Sequence, residues 1–210
     1  MSVNNKNQNL TNLASPKIGT KIIEVSDDFF GEASRMLDDK EPVFIEDKYD
    51  EHGKWMDGWE SKRRRDGGND WAIIELGSPG IITEVDIDTS FFTGNFPPFA
   101  SIEGLYSDQK PNKDSDWIEI ISKTSLKGDT SNKFKIQSKS KVNFIKLQIF
   151  PDGGVARLRL FGEVKLDWDI YNNKKDLIEL SSLKLGGSII AYNNAHYGDV
   201  SALLSAVSYT

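Results

Sequence analysis

The chain has 210 residues, of which 38% are hydrophobic, enough for one full domain and part of a second. Its formal net charge of −6 argues against binding to nucleic acid or to an anionic membrane, and the absence of cysteine excludes disulfides, thiolate metal sites and a cysteine nucleophile. Residues 1–9 are polar, and no apolar run approaches the roughly 18–20 residues of a membrane helix, so we predict a cytoplasmic protein.

Alternating apolar and polar residues predict a chain built mainly of β-strands from Trp71 onward. Clusters of Gly, Pro, Asn and Asp separate the strands, and helical patterning is sparse, with one short candidate over Glu32–Leu37. Many short strands with turns at this spacing predict an all-β fold, a jelly-roll β-sandwich. The expected strands are Trp71–Leu76, Ile81–Asp88, Ala100–Ser107, Trp117–Ser122, Phe134–Gln137, Val142–Phe150 and Val155–Phe161.

The last two predicted strands flank the turn Pro151–Gly154, and we expect them to form a hairpin. Because side chains alternate along a strand, their apolar residues share one face and two arginines take the other face. The apolar residues are Ile145, Leu147, Ile149, Leu158 and Leu160, and the arginines are Arg157 and Arg159.

Residues 13–37 recur at residues 180–204. Without gaps, the two segments share nine of 25 positions, where chance gives about one or two. We therefore expect a polar tail at 1–12, a complete first repeat at 13–165 and a linker at 166–179. Residues 180–210 are expected to be the incomplete start of a second repeat.

The segment Gly53–Arg65 holds two tryptophans, two carboxylates and three arginines, and Asp70-Trp71 follows shortly after. Arginine grips carboxylates through two parallel hydrogen bonds, whereas Asp and Glu accept from N–H groups or transfer protons. This pattern indicates a polar site with aromatic walls for a small charged molecule. A solvated loop whose tryptophans plug the sandwich explains the same residues. An RNA-binding role for the arginines is disfavoured, because their neighbours are acidic.

Further candidates lie at strand ends and turns. Asp88 and Asn95 end a strand and occupy the loop after it, where acids beside Gly and Pro suit substrate or metal ligands. Turn formation explains Asn95 and Asp152 as well, and surface exposure explains Arg157. His52 could act as an acid or base, but two distant histidines give no zinc pattern. Core or interface positions are expected for Phe91, Phe92 and Phe96.

Three motifs resemble the first repeat of the allantoicase family: GKWMDGWESKRRR with Asp70-Trp71, then VDIDTSFFTGNFPP, then PDGGVARLRLFG. SDDFFG and NNAHYG resemble the starts of that family's two repeats. The resemblance covers Leu13 to Leu204 and implies tandem galactose-binding-like jelly rolls. It also implies hydrolysis of allantoate to ureidoglycolate and urea, a step of purine catabolism. Where the family has Gly-His-Asp-Trp, this chain has Asn69 in place of the histidine.

Allantoate is a small anion with two ureido groups on one carbon, so arginine suits its carboxylate and Asp or Glu suits its N–H groups. Loss of urea requires protonation of a poor nitrogen leaving group while water reaches the central carbon. On this resemblance, the expected catalytic residues are Asp57, Glu60 and Asp70. The expected substrate-binding residues are Trp59, Arg63, Arg64, Arg65, Asp88, Asn95, Asp152 and Arg157.

No residue pattern gives a firm metal site, although a divalent metal could assist the reaction. We expect a homo-oligomer that takes allantoate as its small-molecule substrate. An active site between the repeats would leave a chain without the full second repeat inactive. The alternative function is a non-catalytic jelly-roll module that binds a carboxylated ligand or a carbohydrate.

Overall fold

The computed structural model describes residues 10–169, 177–189, 191–193 and 200–205. Secondary structure in these segments is almost entirely β, and none of their helices is long and apolar enough to cross a membrane. The strands are β1 (Thr11–Asn12), β2 (Lys21–Val25), β3 (Tyr49–Asp50), β4 (Gly53–Lys54), β5 (Trp59–Glu60), β6 (Asp70–Asp88), β7 (Phe99–Leu105), β8 (Ile118–Ser125), β9 (Ser131–Lys135), β10 (Lys141–Phe150), β11 (Gly154–Val155) and β12 (Arg157–Val164). The 3₁₀ helices are Pro16–Ile18, Ala33–Leu37, Leu183–Leu185 and Val200–Leu204.

The 19-residue strand β6 belongs to both layers of the sandwich. Its first half pairs with β2 and β10, and its second half pairs with β12 and β9. β7 and β8 extend the first layer beyond β10, and β1 extends the second beyond β12. Ile74 from the first half and Ile87 from the second lie in one buried core, as an all-β jelly-roll sandwich requires. The sequence predicted two separate strands here, because Gly77–Gly80 reads as a turn.

The predicted apolar face of β10 and β12 is confirmed, since its five residues all lie in the core. The predicted hairpin is wrong. β10 pairs with β6 and β7, whereas β12 pairs with β6 and β1, so Pro151–Gly153 crosses from one layer to the other. Strands in opposite layers that face one core show the same alternation as strands paired in a hairpin, and periodicity alone does not separate the two cases.

Short helices recur at the spacing found in the sequence. Pro16–Ile18 and Leu183–Leu185 each follow a serine and end at a glycine of positive φ, 98° and 88° respectively. Ala33–Leu37, the short helix predicted over 32–37, has its counterpart in Val200–Leu204. This agreement supports the start of a second repeat, while the domain boundaries stay predictions. Residues 1–9 of the tail, 170–176 of the linker, 194–198 of the NNAHYG motif and 206–210 lie outside the described residues.

Gly77 lies where β6 passes the first of these turns. A Cβ added there would lie 2.1 Å from the backbone oxygen of Ile18, and the hydrogen bond from Gly77 N–H to Thr20 Oγ1 (2.9 Å) holds the two segments together. We expect Gly77→Ala to lower the free energy of unfolding by about 1–3 kcal/mol, measured with urea. Gly94→Ala is the control, because its Cβ would meet no atom of the described part of the chain within 4 Å. Equal effects of the two changes would contradict this account.

Candidate functional site

A cleft of about 550 Å³ opens beside β5. Its residues come from the loop after β2, from the β3–β4 hairpin with its flanks, from β5, from the loop after β6 and from the loop before β9. Aromatic side chains line it together with two acids, a lysine, a histidine and an amide. The lining residues are Phe30, Phe44, His52, Lys54, Met56, Glu60, Phe91, Thr93, Asn95 and Asp129.

Glu60 is held in the cleft by its backbone and by one side chain. β5 pairs with β11, and the backbone of Glu60 also exchanges two hydrogen bonds with Gly31, of 2.9 and 3.0 Å. The side-chain amide of Asn95 donates to Oε1 of Glu60 at 2.6 Å. The predicted residues Glu60 and Asn95 therefore lie together, although 35 positions separate them.

The surroundings of Glu60 shift its carboxyl toward the protonated form relative to a carboxyl in water. Burial raises the pKa of this carboxyl above its ordinary value, the Asn95 hydrogen bond opposes the rise, and the negative charge of Asp50 adds to it. A carboxyl that keeps its proton longer than usual is suited to donate it to a leaving group.

Trp59, the other residue of β5, lies behind the cleft. Its side chain is fully buried in the core, and its Nε1 donates to the backbone oxygen of Asp27 at 2.8 Å. Adjacent strand residues point to opposite faces, so burial of Trp59 directs Glu60 outward. This position disfavours direct contact between Trp59 and a substrate and indicates that it anchors β5.

Asp57 and Arg157 pair with each other and do not line the cleft. Arg157 is 1% exposed, and all three of its guanidinium nitrogens donate to protein acceptors. Nη2 binds Asp57 Oδ2 at 2.7 Å, Nη1 binds Asp57 O at 2.9 Å, and Nε binds Lys40 O at 2.8 Å. These contacts favour a structural role over the substrate-clamping role predicted from the sequence.

Asp70 lies with the arginine run at a second cleft, of about 540 Å³, which Glu60 does not line. Its Oδ1 accepts from Arg64 Nη1 at 2.6 Å and from Ser26 Oγ at 2.8 Å, and its Oδ2 is buried without a hydrogen-bond partner among the residues that the structure describes. From the sequence we predicted that Asp57, Glu60 and Asp70 are all catalytic. In the structure they lie at three separate places: Glu60 lines the first cleft, Asp70 lines the second, and Asp57 pairs with Arg157.

The remaining predicted residues also have structural partners or exposed positions. Arg64 binds Asp66 through Nε and Nη2 at 3.0 and 2.8 Å, and its backbone N–H donates to Asp152 Oδ2 at 2.7 Å. Asp88 is buried and accepts twice from Ser90. Arg63 and Arg65 are exposed at the second cleft.

Sequence reasoning missed the cation of the first cleft. Lys54 Nζ lies 4.4 Å from the ring centroid of Phe44, and that ring stacks on Phe91 with centroids 5.7 Å apart. The position of Lys54 in the chain, between His52 and Trp55, could have indicated a cation in an aromatic site. The three arginines at 63–65 were a more obvious choice for an anion-binding site. His52 itself, a predicted acid or base, lies in the cleft with its ring 4.2 Å from Phe29. Among the described residues no group of three or more His, Asp and Glu is placed to hold a metal ion.

The two-layer fold with a ligand-sized cleft defines a galactose-binding-like jelly roll. The C-terminal domain of a chitobiase from Bacteroides fragilis has the same fold, with a TM-score of 0.53 at 17% identity, over 71% of this chain and 97% of that domain. Likeness at this identity concerns the fold alone.

The family model described as Allantoicase repeat matches residues 11–165, so the chain belongs to the allantoicase family. It is 47% identical to a probable allantoicase of Acinetobacter baylyi over 90% of this chain and 56% of that protein. It is 45% identical to probable allantoicase 1 of Burkholderia mallei over 92% of this chain and 57% of that protein. The allantoicase structure from Saccharomyces cerevisiae aligns with a TM-score of 0.80 at 31% identity, over 97% and 61% of the two chains. The chain thus spans little more than half of these curated relatives.

Proposed function

We propose that the cleft around Glu60 binds allantoate and hydrolyses it to ureidoglycolate and urea, a hydrolysis of a carbon–nitrogen bond in a linear amidine. Family membership supports the substrate. The observation that carries the proposal is Glu60, a carboxyl of raised pKa that shares a cleft with a lysine and aromatic walls. The carbohydrate-binding alternative has only a likeness of fold in its support.

The cleft matches the two kinds of polar group in allantoate. Lys54 offers a cation for the carboxylate, and the amide of Asn95 can exchange hydrogen bonds with a ureido group. Phe44 and Phe91 form an apolar wall on which a planar ureido group can lie. The charge of Lys54, the amide of Asn95 and the two aromatic rings together orient the substrate so that one ureido nitrogen faces Glu60.

The reaction replaces one carbon–nitrogen bond by one carbon–oxygen bond. Water attacks the central carbon as the bond to a ureido nitrogen breaks, and Glu60 transfers its proton to that nitrogen, which leaves as urea. His52 accepts the proton that the water loses. Exchange with solvent then returns Glu60 and His52 to their starting states, so the net reaction converts allantoate and water to ureidoglycolate and urea.

Lys54→Gln should raise KM for allantoate about ten-fold with little change in kcat, because the carboxylate loses its charged partner in both ground and transition states. Steady-state urea release measures both constants. Lys48→Gln is the matched control, since Lys48 belongs to the same hairpin region but lies over Trp55, 3.4 Å from its ring centroid, and does not line the cleft. Equal KM values for the two variants would contradict the role given to Lys54.

The proposal is tested by urea release from allantoate with the purified chain, with and without added divalent metal. Turnover supports it. Without turnover, a rise of the melting temperature with allantoate supports a binding site that needs further parts of the enzyme. The absence of both effects contradicts the proposal. The cytoplasmic location and a homo-oligomer stay predictions, and gel filtration tests the latter.

A further inference from the structure

Residues 40–46, called the strap here, form an irregular segment between the Ala33–Leu37 helix and β3. The strap exposes three successive apolar side chains, Val43, Phe44 and Ile45. Phe44 nevertheless lines the cleft, where it stacks on Phe91. A segment without strand or helix hydrogen bonds needs other contacts to keep one position. The position of the strap therefore determines the position of the Phe44 side chain, which forms one wall of the cleft.

The buried pair of Asp57 and Arg157 supplies those contacts. Arg157 Nε donates to the oxygen of Lys40 at 2.8 Å, and Asp57 Oδ2 accepts from the N–H of Val43 at 2.9 Å. The same Oδ2 accepts from Arg157 Nη2 at 2.7 Å. One ion pair therefore binds the backbone of the strap at two residues, Lys40 and Val43. Arg159 adds a weaker contact to Lys40 O at 3.4 Å.

Arg157 is buried and the carboxylate of Asp57 is 15% exposed, so water has little access to this ion pair. A buried ion pair is stable only when its remaining donors and acceptors are satisfied, and here the strap backbone satisfies some of them. Displacement of the strap would leave Arg157 and Asp57 short of partners in the interior. The strap therefore has one favoured position, set from the core side of the molecule.

We propose that Asp57 and Arg157 are positioning residues that fix the strap, and through it the Phe44 wall, and so set the affinity of the cleft for small ligands. The inference rests on the proposed function only for the identity of the ligand, allantoate. Val43 lies directly before Phe44 in the chain, so the hydrogen bond from Val43 to Asp57 places the Phe44 side chain. Lys54, whose Nζ lies 4.4 Å from the Phe44 ring, shares this wall.

The absence of cysteine allows a direct measurement of strap mobility. A nitroxide label on Ile45→Cys reports the strap, and a label on Lys139→Cys, another exposed position, serves as the control. Asp57→Asn should increase the mobility of the label at 45 and leave that at 139 unchanged. Arg157→Lys, which keeps the charge but loses the Nε contact, should do the same and serves if Asp57→Asn fails to fold. Unchanged mobility at 45 in a folded variant would overturn the proposal.

Affinity supplies the second measurement. Asp57→Asn and Phe44→Ala should each raise Kd for allantoate roughly three- to ten-fold by calorimetry, about the contribution of one aromatic contact. The double variant should be no weaker than the worse single variant, because both changes remove the same wall. If the unaltered chain does not bind allantoate, the proposed function fails and the label mobility alone decides the strap proposal. If Asp57→Asn lost turnover while Kd and label mobility stayed unchanged, the strap proposal would be overturned and the catalytic role predicted for Asp57 would be favoured.

Discussion

Replacing Glu60 by glutamine is expected to lower kcat for allantoate hydrolysis by about 10²–10⁴-fold, the usual contribution of a general acid or base. Glutamine keeps the shape of the side chain, and its oxygen can still accept from Asn95 Nδ2, so the fold and the Kd for allantoate should change little. The amide has no acidic proton to give to the leaving nitrogen. Urea release and calorimetry measure the two quantities on the same preparation.

Glu46→Gln is the control for this experiment, because Glu46 follows Phe44 of the cleft by two residues but is exposed and does not line the cleft. It should keep close to full kcat. A Glu60→Gln variant with full turnover would remove Glu60 from the role of acid. Equal losses in both variants would point to the overall charge near the cleft and not to one carboxyl.

The pH dependence follows from the direction of the pKa shift of Glu60. Because burial raises this pKa, the acid stays protonated to higher pH than an ordinary carboxyl, and kcat should fall as pH rises through it. Folding favours the protonated form, so its contribution to stability is complete below the unfolded-state pKa and is lost as pH rises through the folded-state pKa. Urea unfolding of Glu60→Gln should lack this loss, and identical pH profiles for the two proteins would contradict it.

Periodicity located the strands because each buries alternate residues, but it carried no information on their partners. β10 and β12 illustrate the limit: both face one core, yet they belong to opposite layers. The same limit explains the two predicted strands that form β6, since Gly77 permits a close contact with Ile18 within a continuous strand and does not form a turn. Fold class could be predicted, whereas pairing depended on contacts between distant segments.

The candidate site was predictable in composition and less so in geometry. Glu60 and Asn95 were named from the sequence and meet in the cleft, but alternation along β5 sends Trp59 inward and Glu60 outward. Phe91 was expected in the core or an interface. It instead has φ of 69° and turns into the cleft, while Phe92 takes the core position. A left-handed backbone at a phenylalanine has no signal in the pattern of apolar residues.

Arg157→Met is expected to lower the free energy of unfolding by about 3–5 kcal/mol, the usual cost of removing one partner of a buried ion pair. Methionine fills much of the space but leaves the Asp57 carboxylate, 15% exposed, without its charged partner. The oxygen of Lys40 also loses the hydrogen bond of 2.8 Å that it accepts from Arg157 Nε. Urea unfolding measures the change, and an unaltered m-value would show that the two proteins expose the same surface on unfolding.

Arg159→Met provides the matched control, because Arg159 lies two residues further along β12 and pairs with Glu41, which is 86% exposed. Solvent screens such a pair, so its loss should cost at most about 1 kcal/mol. Adding Asp57→Leu to Arg157→Met should recover part of the stability, since the stranded charge is then removed as well. Equal losses for Arg157→Met and Arg159→Met, with no recovery in the double variant, would show that packing of the aliphatic stems and not the buried charge stabilises this region. Recovery of stability without recovery of allantoate affinity would separate the two roles of Arg157, because the charge stabilises the fold while its hydrogen bond to the strap shapes the cleft.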